Sequence, residues 1–588
     1  MSKLFGGLFL TVCALCALLC PLTPCRAQSS KDAAFSVLAD DFLDNFYLPE
    51  NPTAATSLGI HRYDDRLDDY TAAGIARQRK ALRGYLGRVE GFDPAGLSER
   101  ARGDRDLVLL NIRSNLLTLD AIRPLEKNPD VYPSGLAATA FSIMERAFAP
   151  VNERLRALIA RERQMPAALA AARSNLRDPP RVYTEISIEQ LPGTTAFFRD
   201  DLPQAFASAT DPALVAEFKS VNRRVVEALE RYGAWLRSDV LPHSTGEFRI
   251  GADTFRAKLA ADEMVEMPLD ELLKVGYADL RRNQSEFARV ARSIEPTKSA
   301  REVLAMLAAD HPPPEKLLAS FAATFDGLID FIQTRQIITI PSDVRPILRE
   351  TPPFMRATTF ASMDTPGPFE ASAKEAYFNV TLPEPGWTAE RVAGFMSEFN
   401  FPVISNTSVH ETYPGHYVQF LWMPRVNDRV RKILGANSNA EGWAHYCEQM
   451  MLDEGYVPPG TDPHDPRAIG LLRLGQLQDA LLRDARYIVG VQMHTQGMTI
   501  EQAVDFFVNE GYQARESAEA ETKRGTADPT YLYYTLGKLQ ILKLRADVKA
   551  RQGDGFSLRA FHDHFMEQGF PPIKIVRRAM LGDDSPAL

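Results

Sequence analysis

Metal-ligating side chains are concentrated in one stretch of this 588-residue chain, residues 408–448. The stretch contains three histidines and three glutamates, namely His410, His416, His445, Glu411, Glu441 and Glu448. Imidazole and carboxylate groups together are a ligand set for zinc, and a carboxylate beside a ligating histidine can act as a base. Residues 408–448 therefore predict a metal centre that could carry out hydrolysis.

The spacing of the first two histidines differs from the common zinc-protease signature, in which two histidines lie four residues apart on one helix. His410 and His416 are six residues apart, so a regular helix would point them roughly 120° away from each other. Pro414 cannot donate a backbone hydrogen bond and disfavours a helical Tyr413, whereas Gly415 tolerates an unusual backbone. We therefore predict a helix, a two-residue bulge and a second helix from His416, which would bring both imidazoles to one point.

A third ligand is expected from the helical pattern that starts near Glu441, 25 residues after His416. A helix that returns antiparallel at this separation could place a carboxylate beside the two imidazoles. Two histidines and one glutamate with an open fourth position form a catalytic zinc site. The residue pattern leaves Glu441, His445 and Glu448 as alternatives, because residues three or four apart share a helix face.

The neighbours of Glu441 favour it as the third ligand. Ser438 or Asn439 would cap the helix and place Glu441 in its first turn, near the positive end of the helix dipole. Gly442 would let a partner helix approach closely, and Trp443 would shield the site from water. The later histidine and glutamate of this helix would then be hydrogen-bond partners of the ligands.

Several segments have the character of family motifs: HETYPGHYVQ, EGWAHYCE, PTAATSLGIHRYDDRLDDY, FMRATTFASMDTPGPFE, AYFNVTLP and YLYYTLGKLQILKLR. Together they resemble the bacterial family catalogued as domain of unknown function 885. The resemblance implies a mainly α-helical, zincin-like (gluzincin-type) metallopeptidase fold with a few short strands and a deep cleft. It also implies that His410, His416 and Glu441 hold one zinc ion, and that Glu411 is the general base.

A zinc peptidase also needs a hydrogen-bond donor for the developing oxyanion, and tyrosine or histidine can provide it. Tyr534 precedes Thr-Leu-Gly and matches the family motif best, while His494 is the second candidate. An amphipathic core helix rich in tyrosine would explain the same pattern without a catalytic role. Residues 377–382 end before Pro383 and suit an edge strand, which could hold an extended peptide or belong to a structural hairpin.

Residues 1–27 predict a signal peptide, with a basic start at Lys3, an apolar run over 4–19 and cleavage after Ala27. No later apolar run approaches the length of a membrane span. Four of the five cysteines fall within residues 1–27. Only Cys447 remains in the mature chain, so no internal disulfide is possible there. These features predict an exported protein, periplasmic or secreted.

The net charge of −9 argues against nucleic acid or an anionic membrane as a partner. Helical periodicity dominates the chain and is clearest over 32–47, 73–89, 151–164, 212–236, 269–294 and 466–493. Strands are expected over 247–250, 336–340 and 377–382. We predict one catalytic unit, 28–588, with a helical N-terminal part (28–345) and a part that holds the metal site (346–588).

The combined features predict an exported zinc-dependent peptidase that hydrolyses short peptides or related amides with metal-activated water. One alternative is a non-catalytic periplasmic binding or scaffold protein with a vestigial metal site. Another is a metal-dependent hydrolase of non-peptide amides or esters. The presence of Glu411, which a purely structural metal does not need, favours a hydrolase.

Overall fold

The structure is a computed structural model that describes residues 30–352, 355–356 and 359–588. The predicted signal peptide at 1–27 lies outside the described residues, as does part of the family-like segment at 354–370. The protein is mainly helical with one small sheet, as the periodicity predicts.

Residues 30–346, the described part of the chain before the sheet, form helices and loops. Its helices are α1 Ser30–Phe42, α2 Leu48–Glu50, α3 Pro52–Ser57, α4 Ala72–Glu90, α5 Glu99–Leu117, α6 Pro124–Lys127, α7 Val131–Met144, α8 Val151–Glu162, α9 Met165–Asn175, α10 Arg181–Ala196, α11 Leu202–Ala205, α12 Pro212–Trp235, α13 Gly251–Glu263, α14 Leu269–Ile294, α15 Ala300–Ala308, α16 Leu317–Ala322 and α17 Phe325–Thr334.

Three short strands separate these helices from a second helical series. The strands are β1 Ile347–Glu350, β2 Ala361–Asp364 and β3 Tyr377–Val380. The second series is α18 Ala389–Ser397, α19 Phe401–Glu411, α20 His416–Trp422, α21 Arg429–Ile433, α22 Asn437–Asp453, α23 Pro466–Thr495, α24 Ile500–Asn509, α25 Arg515–Ala527, α26 Tyr533–Gln552, α27 Leu558–Met566 and α28 Ile573–Leu581.

All six helices predicted from periodicity are present. The prediction 269–294 agrees with α14 at both ends, and the other five differ from their helices by a few residues. The first of them, 32–47, combines α1 with the π-helical turn Leu43–Tyr47. The agreement follows from amphipathic patterns long enough to specify both the type and the buried face of a helix.

The predicted edge position of residues 377–382 is wrong, because β3 is the central strand of the sheet. The strand order is β1-β3-β2, in which β1 is parallel and β2 antiparallel to β3. Pro383 lies beyond the end of β3 and therefore does not interrupt its hydrogen bonds. The other predicted strands, 247–250 and 336–340, are loop segments in the described chain. Ile337 and Ile338 of the second segment are buried in the hydrophobic core.

The hydrophobic core is continuous across the proposed boundary at residue 345. Its cluster around the metal motif combines residues of α16 and α17 with residues of β3 and of helices as far as α28. A second cluster joins α14 to α23 and α26. Cys447 is fully buried within the first cluster. Among the described residues, none of the helices has the length and apolar character needed to cross a membrane.

Candidate metal centre and cavity

The predicted bulge is present between α19 and α20, over residues 412–415. Within it, Gly415 donates its N–H to the carbonyl of Val409 (3.0 Å), and Val418 donates to Thr412 (3.4 Å). Both bonds reach back six residues, whereas those of a regular helix reach back four. The two additional residues are thus accommodated in a wide turn, and a helix resumes at His416.

This turn brings the two histidine rings together and aims them at Glu441. The Nε2 atoms of His410 and His416 lie 3.4 and 3.3 Å from Oε2 of Glu441. The three potential ligand atoms lie within 4.8 Å of one another. Oε2 of Glu441 is buried and makes no hydrogen bond with any described residue. Two imidazole nitrogens and one carboxylate oxygen are a donor set that fits zinc.

Glu448 binds Nδ1 of His410, the ring nitrogen that does not face Glu441. Its carboxylate accepts a hydrogen bond from His410 Nδ1 (2.7 Å) and contacts Arg483 Nη2 (3.1 Å) and His445 Nδ1 (3.2 Å). Burial opposes ionisation of Glu448, but Arg483 and His445 hold the pKa of this carboxyl well below its usual range. An ionised Glu448 keeps the proton of His410 on Nδ1 and leaves Nε2 free to ligate.

The N-terminus of α22 differs from the predicted cap. The helix begins at Asn437, so Glu441 lies in its second turn, and no side chain at the preceding position caps it. Instead, the Ser438 N–H donates to the carboxylate of Glu263 at the end of α13 (3.2 and 3.3 Å). The side-chain amide of Asn439 donates a hydrogen bond to the backbone carbonyl of Pro571, just before α28. The group that caps the helix of Glu441 thus comes from another part of the chain.

Two glycines let α22 and α26 cross in direct backbone contact. A Cβ atom added at Gly442 would overlap the backbone of Gly537, and one added at Gly537 would overlap the Ser438 carbonyl. This is the close approach predicted for Gly442. Trp443, however, does not line the cavity: it is fully buried, and its indole donates to the Pro414 carbonyl (3.0 Å). Trp443 therefore stabilises the bulge from the buried side, away from the cavity.

Gly415→Ala should disrupt the bulge, because the added Cβ would overlap the carbonyl oxygen of His410. We expect a loss of about 1–3 kcal/mol of stability, as for other overpacked sites, together with loss of metal. Thermal unfolding and metal content would measure both effects. The matched control is Gly394→Ala in α18, where no atom lies within 4 Å of the new Cβ. Equal melting temperatures for the two variants would contradict this account of the bulge.

A cavity of about 460 Å³ opens beside the three potential ligands. It brings together five of the six predicted site residues, His410, His416, Glu441, Glu411 and Tyr534. The edge strand β2 forms one wall, and polar faces of α23 and α25 form another. The predicted general base Glu411 and the predicted hydroxyl donor Tyr534 therefore face the same space as the potential ligands.

Tyr534 lies next to His410, and their ring centroids are 6.5 Å apart with planes 25° from parallel. Its phenol oxygen accepts a hydrogen bond from Arg524 Nη2 (3.1 Å). Burial and the nearby Glu441 raise the pKa of Tyr534. The phenol therefore keeps its proton at neutral pH and can donate it in a hydrogen bond.

His494 is not among the residues that line this cavity. Its Nε2 lies 2.8 Å from the Gly525 carbonyl, and its Nδ1 accepts the N–H of Ile250 (3.4 Å). Burial lowers the pKa of His494 to about 4, so the ring is neutral. Both ring nitrogens have backbone partners, and we assign His494 a role in packing.

Charged residues on α23 and α25 also line the cavity and were missed by the sequence analysis as site residues. They are Asp479, Arg483 and Arg486 on α23, and Glu521 and Arg524 on α25. On each helix they recur at intervals of three or four residues, which places them on one face. On the largely buried α23, the charges that follow one face are a signal that could have indicated its residues.

A family model described as "Bacterial protein of unknown function (DUF885)" matches residues 52–580. No functionally curated protein matches the chain. A solved structure from Shewanella oneidensis, described as a candidate lipoprotein of unknown function, is 27% identical, with a TM-score of 0.75 over 93% of this chain and 99% of its own. A candidate lipoprotein from Colwellia psychrerythraea has the same fold, with 18% identity and a TM-score of 0.77 over 94% and 99%. Since the family model covers most of its length, the chain belongs to the DUF885 family.

Proposed function

We propose that this protein is a zinc-dependent hydrolase of short peptides or related amides, with a zincin-like fold and cleft. The observation that carries the proposal is the convergence of His410, His416 and Glu441 on a cavity that also contains Glu411. Structural zinc sites are closed by four protein ligands, whereas catalytic sites keep one position open. Three ligands beside a cavity are the catalytic pattern.

In the proposed mechanism each residue has a separate task. Bound zinc would supply the Lewis acidity that polarises a carbonyl and makes water more acidic. Glu411 accepts a proton from the attacking water and passes it to the leaving amine. Tyr534 donates its phenol proton in a hydrogen bond to the developing oxyanion. Glu448 keeps His410 in the tautomer that can ligate.

The substrate is proposed to lie along β2, because β3, for which the sequence left peptide binding and a structural hairpin open, is the central strand. Among the described strands β2 pairs with β3 alone, and its residues Ala361, Ser362 and Met363 line the cavity. The free edge of such a strand can hydrogen-bond an extended peptide. A cavity of about 460 Å³ has room for a few residues, which favours short peptides.

We also propose that the protein is exported. The basic and apolar segment at residues 1–27 has the pattern of a signal peptide. Two structures of the same fold are described as candidate lipoproteins, a class of exported proteins. Detection of the mature chain outside the cytoplasm, with its new N-terminus sequenced, would test this proposal.

The metal is tested first. Purified protein should contain about one zinc ion per chain, and His416→Ala should lose it because one of three ligands is removed. The control is His464→Ala, which removes an exposed histidine outside residues 408–448. Elemental analysis by mass spectrometry measures the metal. Full zinc occupancy in His416→Ala would contradict the bulged motif and point to His445 as a ligand.

The reaction is tested next with the zinc-loaded protein. A mixed-peptide digest read by mass spectrometry should show new cleavage products, and none after removal of zinc by a chelator. A parallel set of esters and non-peptide amides distinguishes a broader hydrolase from a peptidase. A protein that holds zinc but cleaves neither set would favour the binding or scaffold alternative.

A further inference from the structure

Three arginines line the cavity beside Tyr534, and two of them are already paired. Arg486 forms two hydrogen bonds with Glu521, of 2.6 and 2.7 Å. Arg483 contacts Glu448 at 3.1 Å. The charges of these two guanidinium groups are therefore matched within the protein, and neither needs a ligand.

Arg524 differs from both. Within the described part of the chain, its nearest carboxylate is that of Asp528, 3.8 Å away, which itself accepts the Tyr533 hydroxyl. Its hydrogen bonds are to the phenol oxygens of Tyr534 (3.1 Å) and Tyr533 (3.4 Å). Its side chain is 35% exposed, against 11% for Arg483 and 9% for Arg486. Arg524 therefore retains donors that can reach a ligand in the cavity.

Arg524 is linked through Tyr534 to the expected position of the scissile carbonyl. Tyr534 is the proposed donor to the scissile carbonyl, and Arg524 is hydrogen-bonded to the same phenol oxygen. One residue of an extended peptide spans about 3.3–3.6 Å. A group bound by Arg524 therefore belongs to a residue that adjoins the scissile bond.

The guanidinium group has a planar fork of N–H donors that matches a carboxylate with two parallel hydrogen bonds. We propose that Arg524 binds a carboxylate on the residue that follows the scissile bond, and that the substrates are peptides or amides bearing such a group. This inference rests on the proposed zinc hydrolase. Water oxygen bonds to the carbonyl carbon, the C–N bond breaks, and the amine leaves with a proton from Glu411. The released product is an amino acid, a small amine or a peptide whose first residue carries the carboxylate.

The test uses two probes that differ only in the terminal group. Succinic acid monohydroxamate has a zinc-binding hydroxamate and a carboxylate three bonds away, and its terminal amide is the uncharged partner. Calorimetric titration of zinc-loaded full-length protein should show about tenfold or tighter binding of the carboxylate, the gain expected of a charged hydrogen-bonded pair. Equal affinities for the two probes would overturn the inference and leave the metal site intact.

Variants of α25 assign the preference to one side chain. Arg524→Gln should abolish the difference in affinity between the probes. Arg515→Gln, an exposed arginine on the same helix, should behave as wild type. Arg524→Lys keeps the charge without the fork and should retain only part of the preference. If Arg524→Gln does not fold, Arg524→Lys serves as the test variant in its place. A full preference for the carboxylate probe in Arg524→Lys would contradict bidentate binding.

Peptides distinguish the two sources of the carboxylate. Cleavage of the last residue from peptides with a free C-terminus, and not from their C-terminal amides, would identify the α-carboxylate. Cleavage of amidated peptides before aspartate or glutamate would identify a side-chain carboxylate. Either result supports the inference, whereas cleavage that ignores both groups overturns it. If the protein takes up no zinc and binds neither probe, it is the proposed function that has failed.

Discussion

Glu411→Gln is expected to retain zinc and the fold but to lose about 10²–10⁴-fold in turnover. The amide has nearly the shape of the carboxylate but cannot accept a proton from water. Glu411 is buried at the cavity wall and follows the ligand His410 directly in sequence. It can therefore reach the same space as the metal without being one of the three convergent ligands.

The measurement compares steady-state rates on the best substrate from the peptide digest, with zinc content determined on the same samples. Glu271→Gln removes an exposed glutamate on α14 and serves as the control for the chemical change. Turnover within a few-fold of wild type in a zinc-replete Glu411→Gln protein would remove Glu411 from the mechanism. Loss of zinc in this variant would instead indicate that Glu411 contributes to metal binding.

Glu441→Ala is expected to lower zinc affinity by several orders of magnitude. The structure brings Glu441 Oε2 within 3.4 Å of both imidazole Nε2 atoms, whereas His445 Nδ1 lies 3.2 Å from Glu448 Oε2 and His445 is not among the three convergent residues. His445→Ala and Glu448→Gln should therefore cost no more than the ~10–100-fold typical of residues that support a ligand. Substitution by glutamine is chosen for Glu448 because it preserves packing around this fully buried side chain.

Competitive titration with a chelator of known affinity measures all three variants on one scale. Thermal unfolding of the zinc-free proteins separates a change in metal affinity from a change in fold. Burial of the Arg483 charge beside Glu448 makes this control necessary, since removing one partner of a buried pair destabilises the fold. A larger loss of affinity for His445→Ala than for Glu441→Ala would overturn the assignment of the third ligand.

The sequence by itself determined the features that depend on short stretches of chain. The amphipathic patterns of the long helices act over ten to thirty residues, so their existence and most of their ends could be predicted. The break before His416 follows from Pro414 and Gly415, whose backbone preferences are local. The candidate ligands could be named because few residue types bind zinc and they lie close together in the chain.

Only the tertiary structure decided which distant groups meet. Glu263 caps the helix of Glu441 from about 175 residues away in sequence, and no local pattern indicates such a partner. The central position of β3 depends on strands that are only four residues long, too short for a periodic signal. Tyr534 and His494 are both chemically able to stabilise an oxyanion, but helix packing directs one towards the cavity and the other towards backbone groups. These arrangements depend on contacts between distant segments, and they cannot be predicted from the amino-acid types within any one segment.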